Sequence, residues 1–268
     1  MARSRGGGRD FVEALARGID VLTAFSPSKV AMTVSEVAEE TGLARPTARR
    51  LLLTLESLGY VRSTAGTYTL TAKVLDIGTA VIAAQDSWDL AQPHMRDLVD
   101  FTQESSSMSV LDGSDIVYSA RVAVPKIIAL RVNIGTRFPA IAASMGKVLL
   151  ADLDPDELDT ALATPSQSPV IPRVNPSRAE LESKLAEVRE RGWALADEIL
   201  SLGVRSVAAP VRGPDGRVDA ALNVTVHAAE TSIERLTGEF LPRLLDAAAK
   251  ITTEWQNLAK LPCEEIRQ

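Results

Sequence analysis

The stretch from Thr33 to Leu70, TVSEVAEETGLARPTARRLLLTLESLGYVRSTAGTYTL, predicts two short helices followed by a β-hairpin. Thr33 and Glu36 have the spacing of a capping box, which places the start of a helix at this point. Gly42 readily takes the left-handed conformation that ends such a helix. Pro46 suits the first turn of a second helix, because its missing N–H would be unpaired there in any case. Two helices joined by a tight turn indicate a helix-turn-helix.

The second helix has one apolar side and one polar side. The apolar side repeats at helical spacing and consists of Ala48, Leu51, Leu52, Leu55 and Leu58. The other side carries cations and hydroxyls at Arg45, Thr47, Arg49, Arg50 and Thr54. A helix that presents such groups near its N-terminus is suited to a DNA major groove. The alternative is that the arginines only form a solvated face on a small helical subdomain that does not bind DNA.

The β-hairpin strengthens the DNA-binding interpretation. Tyr60–Arg62 and Thr67–Leu70 have strand character, and Ala65-Gly66 between them predicts a turn. This is a wing, whose tip at Arg62, Ser63 and Thr64 can reach phosphates or a minor groove. The predicted contacts to a double-stranded DNA operator are Thr33, Arg45, Thr47, Arg49, Arg50 and Arg62.

Composition and charge fit a protein with a small DNA footprint. With 46% hydrophobic and 24% charged residues, the 268-residue chain can form one large or two ordinary domains. Through Leu75 there are ten Lys/Arg and seven Asp/Glu, or +3, and the remainder holds nineteen and twenty-eight, or −9, which together give the net charge of −6. A basic head on an acidic body limits DNA contact to the head.

Several classes of protein are disfavoured. The single cysteine, Cys263, forms no intramolecular disulfide and suggests a reducing compartment. The basic, glycine-rich start lacks the apolar core of a secretory signal, and residues 1–10 are expected to be a flexible tail. No run approaches the roughly eighteen apolar residues of a membrane span. We therefore expect a soluble cytoplasmic protein without membrane contact.

The fold class is predicted as α+β. After the tail, the chain is expected to form three parts: a DNA-binding domain, a linker helix and a second domain. Residues 11–71 form the winged helix-turn-helix domain, which begins with a helix from Phe11 to Phe25. That helix is expected to bury Leu15, Ile19, Leu22 and Phe25. Residues 72–87 form a linker helix, from Ala72 to Gln85, that is too apolar to stand bare in water. It is covered either by its twin in a second subunit or by the second domain.

Residues 88–268 are predicted to form an antiparallel sheet flanked by helices. A helix buries Trp88, Ala91, Met95, Leu98 and Thr102 on one face. The predicted strands are Ser105–Leu111, Ile116–Val122, Ile127–Val132, Val204–Val211 and Val218–Val226. Further helices are predicted at Ser144–Leu153, Pro155–Leu162, Arg178–Arg191 and Ser232–Leu258, the last bent at Pro242. Arg137-Phe138-Pro139 is expected to be a loop, and Ala163–Pro176 a proline-rich surface segment.

The second domain offers no catalytic machinery. His94, His227 and Cys263 lack the spacing of a metal site. A phosphate loop at Gly146 is excluded, because Ile141 stands in place of its first glycine and Val148 in place of its Ser or Thr. No cluster of acids, bases and nucleophiles is present, so we expect neither an enzyme nor a cofactor.

The same domain has residues suited to holding a small molecule. Ala143-Ser144-Met145-Gly146 precedes a helix and leaves backbone N–H groups free for a carboxylate. Ser206 opens one strand, and Asn223 and Thr225 share a face of another. Arg121 and Arg131 can pair with an anionic ligand. The alternatives are that these side chains bond each other, bridge to local acids or face solvent.

Five stretches together resemble the IclR family of bacterial transcriptional regulators over nearly the whole chain. They are Ala14–Leu22, Gly42–Leu52, Leu58–Tyr60, Ser144–Ala151 and Gly203–Ala208. The resemblance implies a winged helix-turn-helix, a linker helix and a GAF-like effector domain in a dimer or tetramer. It also implies an effector against Ser144, Met145 and Gly146, surrounded by Asp197, Ser206, Asn223 and Thr225. Ala196 stands where some relatives carry a pocket acid.

A finer resemblance is to the branch that regulates aromatic-acid catabolism. It is carried by Trp88–Pro93, Gln103–Ser107, Leu111–Gly113 and Ile116–Tyr118. It implies a ligand-responsive regulator of a protocatechuate, 4-hydroxybenzoate or β-ketoadipate operon, with RNA polymerase as a further candidate partner. The alternatives are a regulator of another small organic acid, an architectural DNA-binding protein without an effector, and an enzyme with a DNA-binding appendage.

Overall fold

The computed structural model describes residues 10–26, 28–77, 87–125 and 132–258. The chain divides into two compact units, Met1–Gln85 and Asp86–Gln268. The basic tail up to Arg9, the predicted strand from Ile127 and the side chain of Arg131 lie outside the described residues. Of the predicted linker helix, residues 72–77 are described, and residues 73–77 are helical.

The first unit is a winged helix-turn-helix. Its elements are α1 (Glu13–Thr23), β1 (Ala31–Thr33), α2 (Val34–Thr41), α3 (Arg45–Ser57), β2 (Val61–Thr64) and β3 (Thr67–Leu70). The strands form an antiparallel sheet in the order β1-β3-β2. Thr33 and Glu36 make the predicted capping box, and Gly42 ends α2 with φ +67°. The core lies between the helices and the sheet and includes Val21, Val37, Leu52 and Tyr68.

Two predictions for this unit were wrong, and one strand was missed. Leu15 and Ile19 are 64% and 51% exposed, because only the C-terminal end of α1, at Val21, reaches the core. Leu58 is 52% exposed, because α3 ends at Ser57 and the chain turns away at this point. Strand β1 was not predicted, since three residues are too few to show a periodicity.

The second unit is a six-stranded antiparallel sheet with helices on both faces. Its strands, β4 (Ser105–Asp112), β5 (Asp115–Val122), β6 (Arg137–Pro139), β7 (Ala194–Asp197), β8 (Val204–Arg212) and β9 (Val218–His227), have the order β6-β5-β4-β9-β8-β7. One face packs against α4 (Ser87–Thr102) and the C-terminal helix. The other packs against α5 (Ser144–Asp152), α6 (Pro155–Ala163) and α7 (Arg178–Arg191).

The structure corrects three details of this unit. Arg137–Pro139, expected as a loop, is the edge strand β6 and pairs with β5. Strand β7 was not predicted. The C-terminal helix runs through Ile233–Arg235, a π-helical turn at Leu236–Phe240 and then Leu241–Leu258. The irregular turn lies directly before Pro242, whose ring is incompatible with a regular helix interior.

The predicted face of α4 is confirmed where its side chains are described, since Ala91, Met95, Leu98 and Thr102 are all buried. No described helix is long and apolar enough to cross a membrane.

Candidate DNA-binding surface and effector cavity

The N-terminal end of α3 presents three arginines to solvent. Ala44 is the N-cap and a proline occupies the first turn, so the helix begins as predicted. Arg45 and Arg49 are four residues apart and therefore lie on the same side of the helix, with Arg50 beside them. All three are exposed, whereas Thr47 is half-buried.

These arginines have no carboxylate partner among the residues that the structure describes. The ion pairs described in this unit join other residues, Arg17 with Glu13 and Lys29 with Glu40. An arginine with its five donors free and in water is available for a phosphate or a guanine edge.

The wing differs from its prediction in where its tip lies. Ala65 and Gly66 have φ angles of +52° and +83°, which define a tight two-residue hairpin turn. Arg62 is exposed but lies within β2 opposite Thr69, so the turn itself is the tip. The Ser63 N–H donates to the Glu56 carboxylate at 3.0 Å and ties the wing to α3.

The Thr33 side chain caps the N-terminus of α2. Its hydroxyl donates to Glu36 at 2.8 Å and accepts the Glu36 N–H at 3.3 Å. Hydrogen bonds from the Thr33 N–H and hydroxyl lower the pKa of the Glu36 carboxyl. Thr33 is exposed, so a phosphate contact would be added to this capping role.

In the second unit, a cavity opens between the sheet and the N-terminus of α5. The enclosed space is about 40 Å³, smaller than most small-molecule sites, and about 550 Å³ lies between its walls when the open solvent at its mouth is included. Six of the predicted effector residues line it: Arg121, Ser144, Met145, Ser206, Asn223 and Thr225. Its apolar wall is made by Tyr118, Val132, Phe138, Leu200 and Val204 with three alanines, one of which is Ala196.

One polar end of the cavity joins α5 to β8. The Ser144 and Ser206 hydroxyls lie 2.7 Å apart, and both side chains are buried. The α5 N-cap, Ala143, makes no side-chain capping bond. Backbone N–H groups at this helix end therefore remain available to a ligand.

A hydrogen-bonded network that crosses three strands lies next to this serine pair, since Thr225 on β9 is directly opposite Ser206 on β8. The Asn223 side chain accepts the Ser107 N–H at 3.0 Å and donates to Thr225 at 3.0 Å. Arg121 donates to the Ser107 hydroxyl at 3.0 Å. The alternative that the predicted effector residues bond each other is thus partly correct, since Asn223 bonds Thr225, and both of these side chains line the cavity.

Arg121 faces the cavity because of a β-bulge. Met108 pairs with Ala120 and Ser109 pairs with Tyr118, which leaves Ser119 as an extra residue in β5. The bulge reverses the alternation, so that Ala120 packs on the opposite face while Tyr118 and Arg121 both line the cavity.

Burial changes the acid–base properties of both residues. It lowers the pKa of Arg121 and raises the pKa of Tyr118 to about 12. The phenol is therefore neutral at physiological pH, and it leaves the positive charge of Arg121 uncompensated.

Two predicted effector residues do not line the cavity. The Asp197 carboxylate accepts from Arg205 Nε at 2.7 Å, because strand alternation turns it away from the face that Ala196 presents. Gly146 is required for packing, since an added Cβ would lie 2.1 Å from the Ala140 carbonyl oxygen.

Ser107 and Tyr118 were missed. The alternation of Ser105, Ser107 and Ser109 along β4 was a signal for Ser107. No local pattern marked Tyr118 as cavity-lining. Within the described residues, no group of three His, Cys, Asp or Glu side chains could hold a metal ion.

Fold and site together define a DNA-binding transcriptional regulator whose second unit has a separate cavity lined by polar and apolar side chains. Residues 14–65 match the model of the IclR helix-turn-helix domain, and residues 79–253 match that of the bacterial transcriptional regulator IclR C-terminal domain. The chain therefore belongs to the IclR family of bacterial transcriptional regulators, and it is a regulator rather than an enzyme.

Individual relatives are similar over most of the chain. The Pca regulon regulatory protein of Pseudomonas putida is 36% identical over 90% of this chain and 84% of its own. A transcriptional regulator from Rhodococcus sp. RHA1 superposes with a TM-score of 0.79 at 42% identity, covering 92% of this chain and 100% of that one. An IclR homolog from Microbacterium hydrocarbonoxydans, complexed with 4-hydroxybenzoate, superposes with a TM-score of 0.76 at 24% identity, covering 91% and 99%. At that identity the likeness shows the fold.

Proposed function

We propose that this regulator controls an operon for aromatic-acid catabolism and that a small aromatic acid is its effector. The observation that carries the proposal is the second-unit cavity, where a half-buried arginine faces a largely apolar wall. The similarity to the Pca regulon regulatory protein and to the homolog bound to 4-hydroxybenzoate supports the same ligand class.

The DNA half of the proposal rests on α3 and the wing. Arg45, Thr47, Arg49 and Arg50 enter a major groove, with Arg62 on the adjacent backbone. Thr33, at the start of α2, is placed for a phosphate. The exposure of the four arginines, together with the absence of carboxylate partners among the described residues, supports this assignment.

The effector half rests on the cavity-lining residues. We assign direct contacts to Arg121, Ser144, Met145, Ser206, Asn223 and Thr225. Gly146 contributes by letting α5 pack against the turn at Ala140, and Asp197 contributes through its ion pair with Arg205. The proposed domain limits remain 11–71 for DNA binding, 72–87 for the linker and 88–268 for effector binding.

Self-association completes the regulator. Leu15 and Ile19 lie on the exposed side of α1, Phe11 is exposed just before this helix, and the described part of the linker carries the exposed Leu75 and Ile77. A second copy would cover these apolar side chains and pair two heads on one operator, as a dimer or within a tetramer. Effector binding then changes the spacing of half-sites that the heads can span. The site of action is the cytoplasm, where RNA polymerase is a further partner.

An anisotropy titration of DNA from the regulator's own promoter region tests the proposal. We expect 4-hydroxybenzoate or protocatechuate to change the affinity severalfold, and a ligand at a hundred times its Kd to stabilise the protein by about 2.7 kcal/mol. If neither acid changes either quantity while DNA binding persists, the effector is of another class or the protein is architectural.

A further inference from the structure

We propose that Thr71 and Lys73 are positioning residues that fix the linker helix to the end of α3, so that the two heads of a dimer are held at one spacing on the operator. Both residues lie in the first unit, and neither is a predicted DNA contact. The inference rests on the DNA-binding half of the proposed function. It adds the contacts through which a movement of the linker turns the DNA-binding helix.

The contacts lie at the C-terminal end of α3, where the last carbonyl groups of a helix have no partner within the helix. Leu58 is the C-cap of α3, and Gly59 follows it with a φ of +82°. The carbonyl groups of Leu58, Gly59 and Tyr60 all accept hydrogen bonds from the start of the linker. The end of one helix and the start of the next are therefore bonded to each other.

The Thr71 hydroxyl makes the first connection. It donates to the Gly59 carbonyl at 2.6 Å and accepts the Lys73 N–H at 3.2 Å. The second bond is that of an N-cap, because the accepting side chain lies two residues before the N–H. The Thr71 N–H also donates to the Tyr60 carbonyl at 3.0 Å and extends the pairing of β3 with β2. One residue thus ends the wing, starts the linker helix and bonds the segment that follows α3.

The Lys73 side chain makes the second connection. Its ammonium group donates to the Leu58 carbonyl at 2.9 Å and lies 5.1 Å from the centre of the Tyr60 ring, which packs against the head core. A cation is favoured at the C-terminus of a helix and over the face of an aromatic ring. Because Lys73 is exposed, this contact stabilises the fold little, and its main effect is on the direction of the linker.

In the described part of the linker, no apolar side chain belongs to the head core. Leu75 and Ile77 are exposed instead. Without the bonds of Thr71 and Lys73, the backbone at Ala72 would act as a hinge, because a few residues at the end of an element can absorb a large change of direction. With these bonds, the linker and α3 move as one body, and a shift of the linker reaches the DNA-binding surface.

A change in half-site spacing tests the inference and needs no effector. About 5 bp, half a helical turn, is inserted at the centre of the region that the full chain protects in its own promoter DNA. The spacing effect is the ratio of the dissociation constants for the altered and unaltered fragments, measured by anisotropy. Two rigidly held heads cannot both bind the altered fragment, so the wild type should show a spacing effect of about 100-fold. Thr71→Val with Lys73→Met lets the heads turn and should reduce it to about fivefold.

Two further variants serve as controls. Thr71→Ser with Lys73→Arg keeps a hydroxyl and a cationic donor at these positions and should restore most of the spacing effect. Lys29→Met removes an exposed lysine that pairs with Glu40 elsewhere in the head, and it should keep the spacing effect in full. Size-exclusion chromatography should show the wild-type assembly for every variant.

The outcomes separate this inference from the proposed function. If the double variant keeps the wild-type spacing effect, even at a lower overall affinity, Thr71 and Lys73 only stabilise the end of α3 and the inference is overturned. A wild type that tolerates the insertion overturns it as well, because its heads are then not held at one spacing; the proposed function stands in both cases. A wild type that binds no promoter fragment refutes both. Should the double variant not fold, Lys73→Met alone should reduce the spacing effect to about 30-fold, and an unchanged effect overturns the inference.

Discussion

Arginines in the two units are held in opposite ways. Arg49 and Arg50 on α3 stand in water without a carboxylate among the described residues. In the second unit, Arg205, Arg212 and Arg217 are held by Asp197, Asp152 and Glu157, while Arg121 is half-buried at a cavity. Exposed cations suit a partner that carries many charges, and a buried cation suits a ligand that carries one.

The largest predicted effect is that of salt concentration, which should weaken DNA binding by the exposed arginines far more than effector binding at Arg121. DNA binding releases counterions, so a head that meets about six phosphates loses about 1,000-fold in affinity between 50 and 200 mM salt. Binding of 4-hydroxybenzoate should change less than about threefold, because a partly buried ion pair is weakly screened. Anisotropy and calorimetry across the same salt series check this. Equal salt dependence would contradict the comparison.

Removing the exposed arginines should abolish one function and leave the other intact. Arg49→Ala with Arg50→Ala should weaken operator binding about 100-fold, since two contacts to phosphates or base edges are lost. The salt dependence should fall by about two phosphate equivalents. The variant should bind 4-hydroxybenzoate normally and keep the oligomeric state of the wild type in size-exclusion chromatography.

Arg17→Ala is the matched control for the double variant. Arg17 lies in the same unit and pairs with Glu13 on α1. Its loss should change DNA affinity less than twofold. If this control weakens binding as much as the double variant does, general basicity rather than the α3 surface carries the interaction.

The first unit was predictable because its signals are local. The capping box at Thr33, the left-handed Gly42 and the Ala65-Gly66 turn each act over four residues or fewer, so sequence spacing alone locates α2, α3 and the wing. The exposed Leu15 and Ile19 were mispredicted, because a helical stripe does not specify whether its own chain or a second copy covers it.

The cavity was less predictable because it depends on pairing between distant strands. Period-two alternation would place Tyr118 and Arg121 on opposite faces, and only the register of β5 against β4 reveals the bulge that brings them together. Asp197 was assigned to the effector by the family resemblance alone, and the structure pairs its carboxylate with Arg205 instead. Gly146 packs against Ala140 at a distance that no spacing rule shows.

A buried cation that is not used for ligand binding should cost stability. Lys147 is 6% exposed, and burial, with smaller contributions from Lys184 and Arg191, lowers its pKa to about 8. Below pH 8 the amine is charged in both folded and unfolded chains, and its burial destabilises the fold. As the pH rises from about 8 towards the ordinary value of 10.5, the folded chain loses the proton first and the cost is relieved.

Lys147→Met should therefore be more stable than the wild type at pH 7 by about 2 kcal/mol, after allowing for the lost hydrogen bond to the Leu195 carbonyl. The advantage should shrink at pH 10. Tryptophan fluorescence in urea reports this unit alone, because the chain's tryptophans, Trp88, Trp193 and Trp255, all belong to it. Lys250→Met, which removes an exposed lysine of the C-terminal helix, is the control. Equal advantages of Lys147→Met at both pH values would contradict the burial argument.

The smallest predicted effect compares the same capping device in both units. Thr33→Ala removes the box that starts α2, and Ser177→Ala removes the equivalent box that starts α7. Each should destabilise its own helix by about 1 kcal/mol, seen as roughly fivefold faster hydrogen exchange of its amides in the full chain. Only Thr33→Ala should weaken DNA binding, because α2 supports α3 in the head. Thr33→Ser should restore both properties, and a DNA defect in Ser177→Ala would show that the second unit, too, takes part in holding the operator.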